Sequence, residues 1–472
     1  MFRTGAQLMF LTFIVGLFLM RESEREPVNA ANERVIDFLA ANARRKELPA
    51  PVTLVGIDEV SLKEHPLPWT PGDYALFFNA AVAFKPEVLA TDEILDWNLD
   101  KKSPEIAQTF AQYAQILREN IRKSPRTLLG AELSYPEDAD RIPPLESIAG
   151  LRNVKGTAAL IPEYRVVEAQ ATEELRLATV QGFSTWPAHN QSSRTAPLLL
   201  RYCGQVVPSF VLQAAMLWEK VTPEEVEVEV GRHIRLGERV TIPIDAAGRM
   251  RVNFALPIGR CSFEDLVVAA EEKDANASPS AASDLFTAHA LLLSRTDRNV
   301  GKIPVTLDQP RPRGELFALA LGTIQSRSFI HSVPWWTNWA FVGFFTVAAA
   351  FVPYMRRSLA FILGSVSILA SLVAALGLIG TKLIALPVIV PIGLTLFLII
   401  ARFLTPKRMA APGSPSASPA TLPVPAAVTT VASAEQSSSP ATSTSPAPPS
   451  PPPAVPASPL PETSGSPTPP AK

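Results

Sequence analysis

What most constrains this chain is the placement of its apolar runs. One occupies residues 5–20, and three more crowd together at 337–354, 359–379 and 383–403. Runs of roughly 18 or more apolar residues have the length of a membrane span. Between the first and second runs, residues 21–335 have ordinary globular composition. A folded module held between one leading span and a group of three is the layout of a membrane receptor.

Flanking charges orient it. Arg356 and Arg357 follow the second run, Arg402 ends the fourth, and Lys407 and Arg408 come just after, whereas the turn between the third and fourth carries only Lys382. The positive-inside rule places 356–357 and the segment after 404 in the cytoplasm, and hence 21–335 on the outer side. Arg3 before the first run agrees. Arg21 and Arg25 oppose it, but Glu22, Glu24 and Glu26 accompany them. Trp335, Trp336 and Trp339 stand at the entry of the second run, as an aromatic belt does. The short apolar core at 8–20 also suits a signal peptide. No small-x-small cleavage site follows it directly, and the next residues are highly charged, so an uncleaved anchor is the preferred reading. Either reading exports the central segment.

Charge and cysteine content exclude several functions. A net charge of -1 over 472 residues offers no basic patch for nucleic acid. The two cysteines, Cys203 and Cys261, either form a disulfide outside the cytoplasm or pack as free thiols. No cysteine–histidine cluster suggests a metal, and the five histidines are scattered. The trailing spans carry no charge in their interiors, which argues against a channel or transporter.

Within the exported segment, helical periodicity marks 27–47, 73–84 and 104–123. Short β-branched runs at 52–58, 87–92 and 127–133 alternate with the last two. That order predicts right-handed crossovers and a parallel sheet. Afterwards the style changes. Short strands are expected at 179–183, 198–202, 226–230, 234–236, 240–244 and 250–254, with hairpin turns at Gly231 and Gly248. A helix is expected over 206–219, a polar loop over 271–283, a late strand over 288–293 and a closing helix over 314–324. From residue 410, Pro, Ser, Ala and Thr dominate, and such a segment cannot bury enough apolar surface to order itself. The expected organisation is therefore an anchor at 1–20, an α/β sensor ectodomain at 21–335, three transmembrane helices at 336–404 and a disordered cytoplasmic tail at 405–472. The ectodomain combines a parallel-sheet core with a strand-rich later part.

The ordered set of these features resembles the CHASE type-two (CHASE2) family, extracytoplasmic sensory domains of bacterial receptors with one span before and three after. The residues that carry the likeness are the strand ending in Asp58 with Ser61 behind it, the Leu67-Pro68-Trp69-Thr70-Pro71 loop ahead of Tyr74, and the strand ending in Asp92. To these are added the turn and strand from Ala246 to Phe254, the strand from Leu291 to Asp297, and Gly314. The likeness covers about 28–335. The sequence departs from the family in lacking an Arg in the loop after Trp69 and in its Ala-Thr-Asp-Glu strand end. The resemblance implies a sensor, and the tail after 404 shows no phosphate loop or kinase box, so a sensor without its own output domain is expected.

Candidate site residues are Asp58, Trp69, Asp92, Arg251 and Asn253. Asp58 and Asp92 end strands expected to be neighbours, at the carboxyl edge where open α/β sheets bind ligands. Paired carboxylates there can hold a cation or serve as an acid–base pair, and each can equally cap the following turn. Trp69 either lines a pocket or plugs the core. Arg251 and Asn253 share a strand face that either reads a ligand carboxylate or is solvated. No nucleophile motif accompanies Ser61, so no enzyme activity is expected. The leading reading is a multi-pass inner-membrane sensor, periplasmic in its ectodomain, for an unknown small ligand or envelope component. It needs no cofactor, works with a separate cytoplasmic or membrane signalling partner, and forms a homodimer if it pairs at all. Competing readings are a structural or partner-binding envelope protein and a hydrolase built on Asp58 and Asp92.

Overall fold

The computed structural model describes residues 2–23, 48–97, 104–124, 126–135, 150–186, 194–275, 283–305, 309–333, 336–386 and 388–404, together with helical positions scattered between 31 and 42. The expected tail at 405–472, most of the helix at 27–47, and Trp335, Lys407 and Arg408 lie outside the described residues.

The central sheet is built from β1 (Val52–Ile57), β2 (Val88–Thr91), β3 (Thr127–Ser134), β4 (Val166–Ala169), β5 (Val180–Phe183), β6 (Gly259–Ser262) and β7 (Ala290–Arg295). Its order is β6-β1-β7-β2-β3-β4, with β5 also on β3. All pairings are parallel except β3 with β4. β3 is long enough to take both partners: Leu128–Ala131 pair with β5, and a register shift after Glu132 hands the remainder to β4.

The longer helices among the described residues are α1 (Phe2–Ser23), α2 (Pro71–Val82), α3 (Pro104–Lys123), α4 (Phe210–Glu219), α5 (Phe263–Asp274), α6 (Arg313–Gln325), α7 (Trp336–Ala349), α8 (Arg357–Lys382) and α9 (Ile389–Leu404). Side chains alternate across the strands, and both faces are covered, which is why these strands read as continuous apolar runs. Val55, Ile57, Leu89, Leu129, Leu291 and Leu293 pack with Phe77, Phe78, Leu117 and Phe263 from α2, α3 and α5. Val52, Leu54, Val88, Leu128 and Leu292 pack with Phe210 and Phe317 from α4 and α6. Smaller sheets surround this sandwich, among them Val226–Glu229, His233–Leu236 and Val240–Pro243 with Asn153–Lys155.

Several expectations are corrected here. Asp58 and Asp92 do not end neighbouring strands, because β7 inserts between β1 and β2 with Val55 beside Leu293 and Leu293 beside Thr91. The expected helix at 206–219 starts later. Gln205–Pro208 is a strand paired with Leu199–Tyr202, and the Ser209 hydroxyl then accepts from the Leu212 amide as the cap. The strand at 250–254 stops at Arg251. Residues up to Asp274, expected in a loop from 271, belong to α5. For the cysteines two readings stood open, and of these the structure has free thiols at Cys203 and Cys261. Burial pushes the Cys261 thiol up to about 12.

Among the described residues, three helical stretches are long and apolar enough to cross a membrane: Gly5–Ser23, Trp336–Tyr354 and Arg357–Lys382. The fourth expected span is shorter. Leu383, at φ 54°, ends α8, and Ile384–Ala385 then pairs in parallel with His331–Ser332. What remains, α9, has 16 residues and reaches about 24 Å, less than the roughly 30 Å hydrocarbon core. Leu8, Val342, Phe345, Leu394 and Leu398 form the shared interior of α1, α7 and α9.

Candidate functional site

At the carboxyl edge of the central sheet, each strand delivers polar residues as its apolar run ends. Asp58 follows β1. Its Oδ1 accepts from the amides of Val60 (3.1 Å) and Ser61 (3.0 Å) and from the hydroxyls of Ser61 (3.0 Å) and Ser262 (3.0 Å). Burial acts to raise this carboxyl, but those four donors outweigh it and hold it below the usual carboxylate range. Chemically, this is the capping arrangement: one oxygen closes the turn after β1 and pins it to the end of β6.

Asp92 sits two strands away, about 9–10 Å across the edge at ordinary strand spacing, and is 2% exposed. Arg313, the first residue of α6, reaches it: Nε donates to Asp92 Oδ2 at 3.2 Å, and Nη1 donates to Glu132 Oε1 at 2.6 Å. One guanidinium thus joins the ends of β2 and β3 to the start of α6. Asp92 Oδ1 has no hydrogen-bond partner among the described residues. Burial pushes the Asp92 carboxyl up, with Arg313 pulling the other way. Next to it, half-buried Glu93 is pushed up to about 7, by burial first and then by the charge of Asp92. Tyr74, on α2, is raised well above its ordinary value by burial, with Glu93 and Asp92 adding to the effect.

β7 ends between the two aspartates. Arg295 donates through Nε and Nη2 to both oxygens of Asp297, at 3.0 and 3.1 Å. Ser294 lies under Gly314 of α6 so closely that a Cβ on that glycine would meet Ser294 Oγ at 2.0 Å. Only glycine lets α6 start there.

Trp69, Arg251 and Asn253 lie elsewhere. Trp69 is buried, donates from Nε1 to the His65 carbonyl at 2.9 Å and stacks edge-on against Tyr74 and Phe263. It packs the space between α2 and α5. Its loop is fixed by a capping box in which the Thr70 amide donates to Asp73 Oδ2 at 2.7 Å, while Asp73 Oδ1 takes His65 Nδ1 at 2.8 Å. Arg251 ends the strand paired with Thr195–Pro197. Asn253 is buried past that strand: its amide donates to Thr323 Oγ1 at 3.1 Å, and its Oδ1 accepts from the Ala255 amide. Thr323 is ten residues beyond Arg313, about 15 Å along α6. The five expected site residues therefore occupy separate regions. Arg313, Glu132 and Glu93 were not singled out from sequence. The only local signal was an arginine directly before the glycine that opens the closing helix.

Residues 9–351 match the CHASE2 domain. The chain belongs to the CHASE2 family, whose members are extracytoplasmic sensory domains, as the resemblance implied. No curated protein and no solved structure matches it. Among the described residues no group of three or more His, Cys, Asp or Glu side chains is placed to hold a metal ion.

Proposed function

We propose that this protein is a multi-pass membrane sensor whose ectodomain lies outside the cytoplasm and binds a small ligand at the Asp92–Arg313–Glu132 cluster. Binding shifts α6, and the shift passes to the membrane helices and on to a separate signalling partner.

The observation that carries this reading is the join between ectodomain and bundle. α6 starts at the cluster and ends near Ser326. A few residues later His331–Ser332 pairs with Ile384–Ala385, in the turn between α8 and α9, and the His331 amide donates to the Leu383 carbonyl at 2.8 Å. Ile36, Leu39, Ile330, Ile379 and Val388 close an apolar cluster around that join. At the opposite end of the bundle, Arg402 Nε donates to the Met355 carbonyl at 2.8 Å, beside Arg356 and Arg357. The arginines gather away from the ectodomain, which supports a cytoplasmic position for that end.

A ligand that binds the folded state raises its melting temperature by mass action. The test is a thermal-shift screen of the full chain in lipid nanodiscs against small molecules and ions. A dose-dependent rise that Arg313→Lys abolishes supports the reading. A rise that survives this substitution moves the site elsewhere, and the absence of any rise favours a partner-binding envelope protein.

A further inference from the structure

The charges of the helical bundle are one-sided. From 336 to 404 the sequence holds Arg356, Arg357, Lys382 and Arg402 and neither Asp nor Glu. The three arginines stand at one end: Arg356 and Arg357 begin α8, and Arg402 lies two residues before the end of α9. A printed contact joins them. Arg402 Nε donates to the Met355 carbonyl at 2.8 Å, and Met355 directly precedes Arg356. Phe351 and Tyr354, in the turn between α7 and α8, are exposed, as aromatic side chains at headgroup level are. The first turn of α1, which carries Arg3 in sequence, reaches the same end, since a Cβ on Gly5 would meet the Ala350 carbonyl at 3.2 Å. Hydrophobic length adds a second constraint. α9 has 16 residues and reaches about 24 Å, against a hydrocarbon core of roughly 30 Å. Its far end is tied to the ectodomain, because Ile384–Ala385, just ahead of α9, pairs with His331–Ser332. The shortfall of about 6 Å therefore falls at the arginine end. A guanidinium held below the headgroup plane draws headgroups inward, and the anion nearest to it there is a phospholipid phosphate.

We infer that Arg356, Arg357 and Arg402 form a binding site for the phosphate of an anionic phospholipid, in the leaflet at that end of the bundle. Guanidinium groups suit this ligand, because their planar donors match phosphate oxygens two at a time. An anionic headgroup is preferred to a zwitterionic one, since the cation of choline or ethanolamine adds to a positive charge that no carboxylate of 336–404 offsets. The occupant is a lipid and not a soluble anion because the site lies at the depth where α9 falls short, beside exposed Phe351 and Tyr354, which acyl chains cover. A bound lipid bridges the start of α8 to the end of α9 and reinforces the bond from Arg402 to Met355. It thereby fixes the end of the bundle opposite the join with the ectodomain. The inference rests on the membrane placement of the helices and not on the ligand site at the sheet edge, so either survives failure of the other.

The test releases the full chain from nanodiscs of phosphatidylcholine and phosphatidylglycerol in equal parts, prepared with inorganic phosphate present, and weighs what stays bound by native mass spectrometry. The expected result is phosphatidylglycerol retained in preference to phosphatidylcholine. Arg402→Gln lowers the ratio of phosphatidylglycerol-bound to lipid-free chain about fivefold, the effect of one basic side chain at a membrane surface. Arg356→Gln, at an exposed position, lowers it as well and keeps the test decisive if Arg402→Gln does not fold. Lys382→Gln, at the opposite end of α8, leaves it unchanged. Equal retention of the two lipids overturns the site, and so does a preference that neither arginine variant lowers. A preference that Lys382→Gln lowers as far as Arg402→Gln is a diffuse attraction between membrane and positive charge, and it overturns the site too. A retained mass of inorganic phosphate in place of lipid assigns the arginines to a soluble anion, and the lipid site fails.

Discussion

Arg313 Nε donates to Asp92 Oδ2 across 3.2 Å and so fastens the helix that leads to the membrane onto the end of an interior strand. Asp92 is buried, and this arginine is its charge partner. Removing one member of a buried pair leaves an uncompensated charge and costs about 3–5 kcal/mol. Arg313→Ala is expected to destabilise the chain by that order, and Arg313→Ala combined with Asp92→Asn by less than the sum of the two single changes. A double-mutant cycle from denaturant unfolding measures it, and additive costs would show that the two side chains do not interact.

Glu93 gives the stability of the chain a definite pH dependence. Its carboxyl lies at about 7 in the folded chain against an ordinary 4.5, so between those values the folded state binds more protons than the unfolded state. The stability it contributes is fully present below 4.5 and is lost as the pH rises to about 7. Thermal denaturation at fixed ionic strength is expected to show this fall in the wild-type chain and a flatter profile in Glu93→Gln. Identical profiles would remove Glu93 from the account.

Asp58 has the opposite sign. Its hydrogen bonds hold the carboxyl below its ordinary 3.8, so its contribution is present above that value and disappears as the pH falls through the lower folded value. Asp58→Ala strips the donors of Val60, Ser61 and Ser262 of their acceptor and is expected to cost about 1–2 kcal/mol, as loss of a cap does. Ligand-induced thermal shifts should survive it. Their loss in a folded Asp58→Ala chain would return this aspartate to the ligand site.

The βαβ rhythm, the acid-ended strands and the apolar helices were legible because they are local: period, punctuation and run length decide them. The order of the sheet was not. β7 lies more than 230 residues from β1 in sequence, yet pairs with it from Val52 with Ala290 to Ile57 with Arg295, and no local pattern encodes that insertion. The separation of Asp58 from Asp92 follows from it. Arg313 escaped notice because its partners come from two strands far upstream, and β6 because Gly259-Arg-Cys-Ser carries no apolar run. The helix of the fourth apolar run starts later than 383, which its pattern hides: Leu383 to Leu386 is as apolar as α9, although Ile384–Ala385 pairs as a strand.

Gly314 supplies a steric test of how α6 meets the sheet. A Cβ there would lie 2.0 Å from Ser294 Oγ and 2.2 Å from Ser294 Cβ, and the second contact cannot be relieved by turning the hydroxyl. Gly314→Ala is expected to cost about 1–3 kcal/mol through the forced shift of the helix start. Ser294→Gly in the same chain makes room and should recover much of the loss. Unfolding midpoints of the two single variants and the double variant decide it, and equal instability with and without Ser294 would place the strain elsewhere.

Signalling through the join requires that its backbone bonds transmit force, which His331 allows to be tested apart from folding. His331→Pro deletes the amide that donates to Leu383 while leaving the sandwich, whose cores lie elsewhere, intact. A single lost backbone bond is worth about 1 kcal/mol, so the melting temperature should change little. The distance between spin labels at Ser326 and Thr381, both exposed, should, in contrast, no longer follow an ectodomain ligand when read by pulsed electron resonance. Such an uncoupled chain would show that the strand pair is the mechanical link between sheet edge and membrane. If the response is retained at full amplitude, coupling must instead run through the apolar contacts of Ile36, Leu39 and Ile330 with Ile379 and Val388, which the substitution leaves in place.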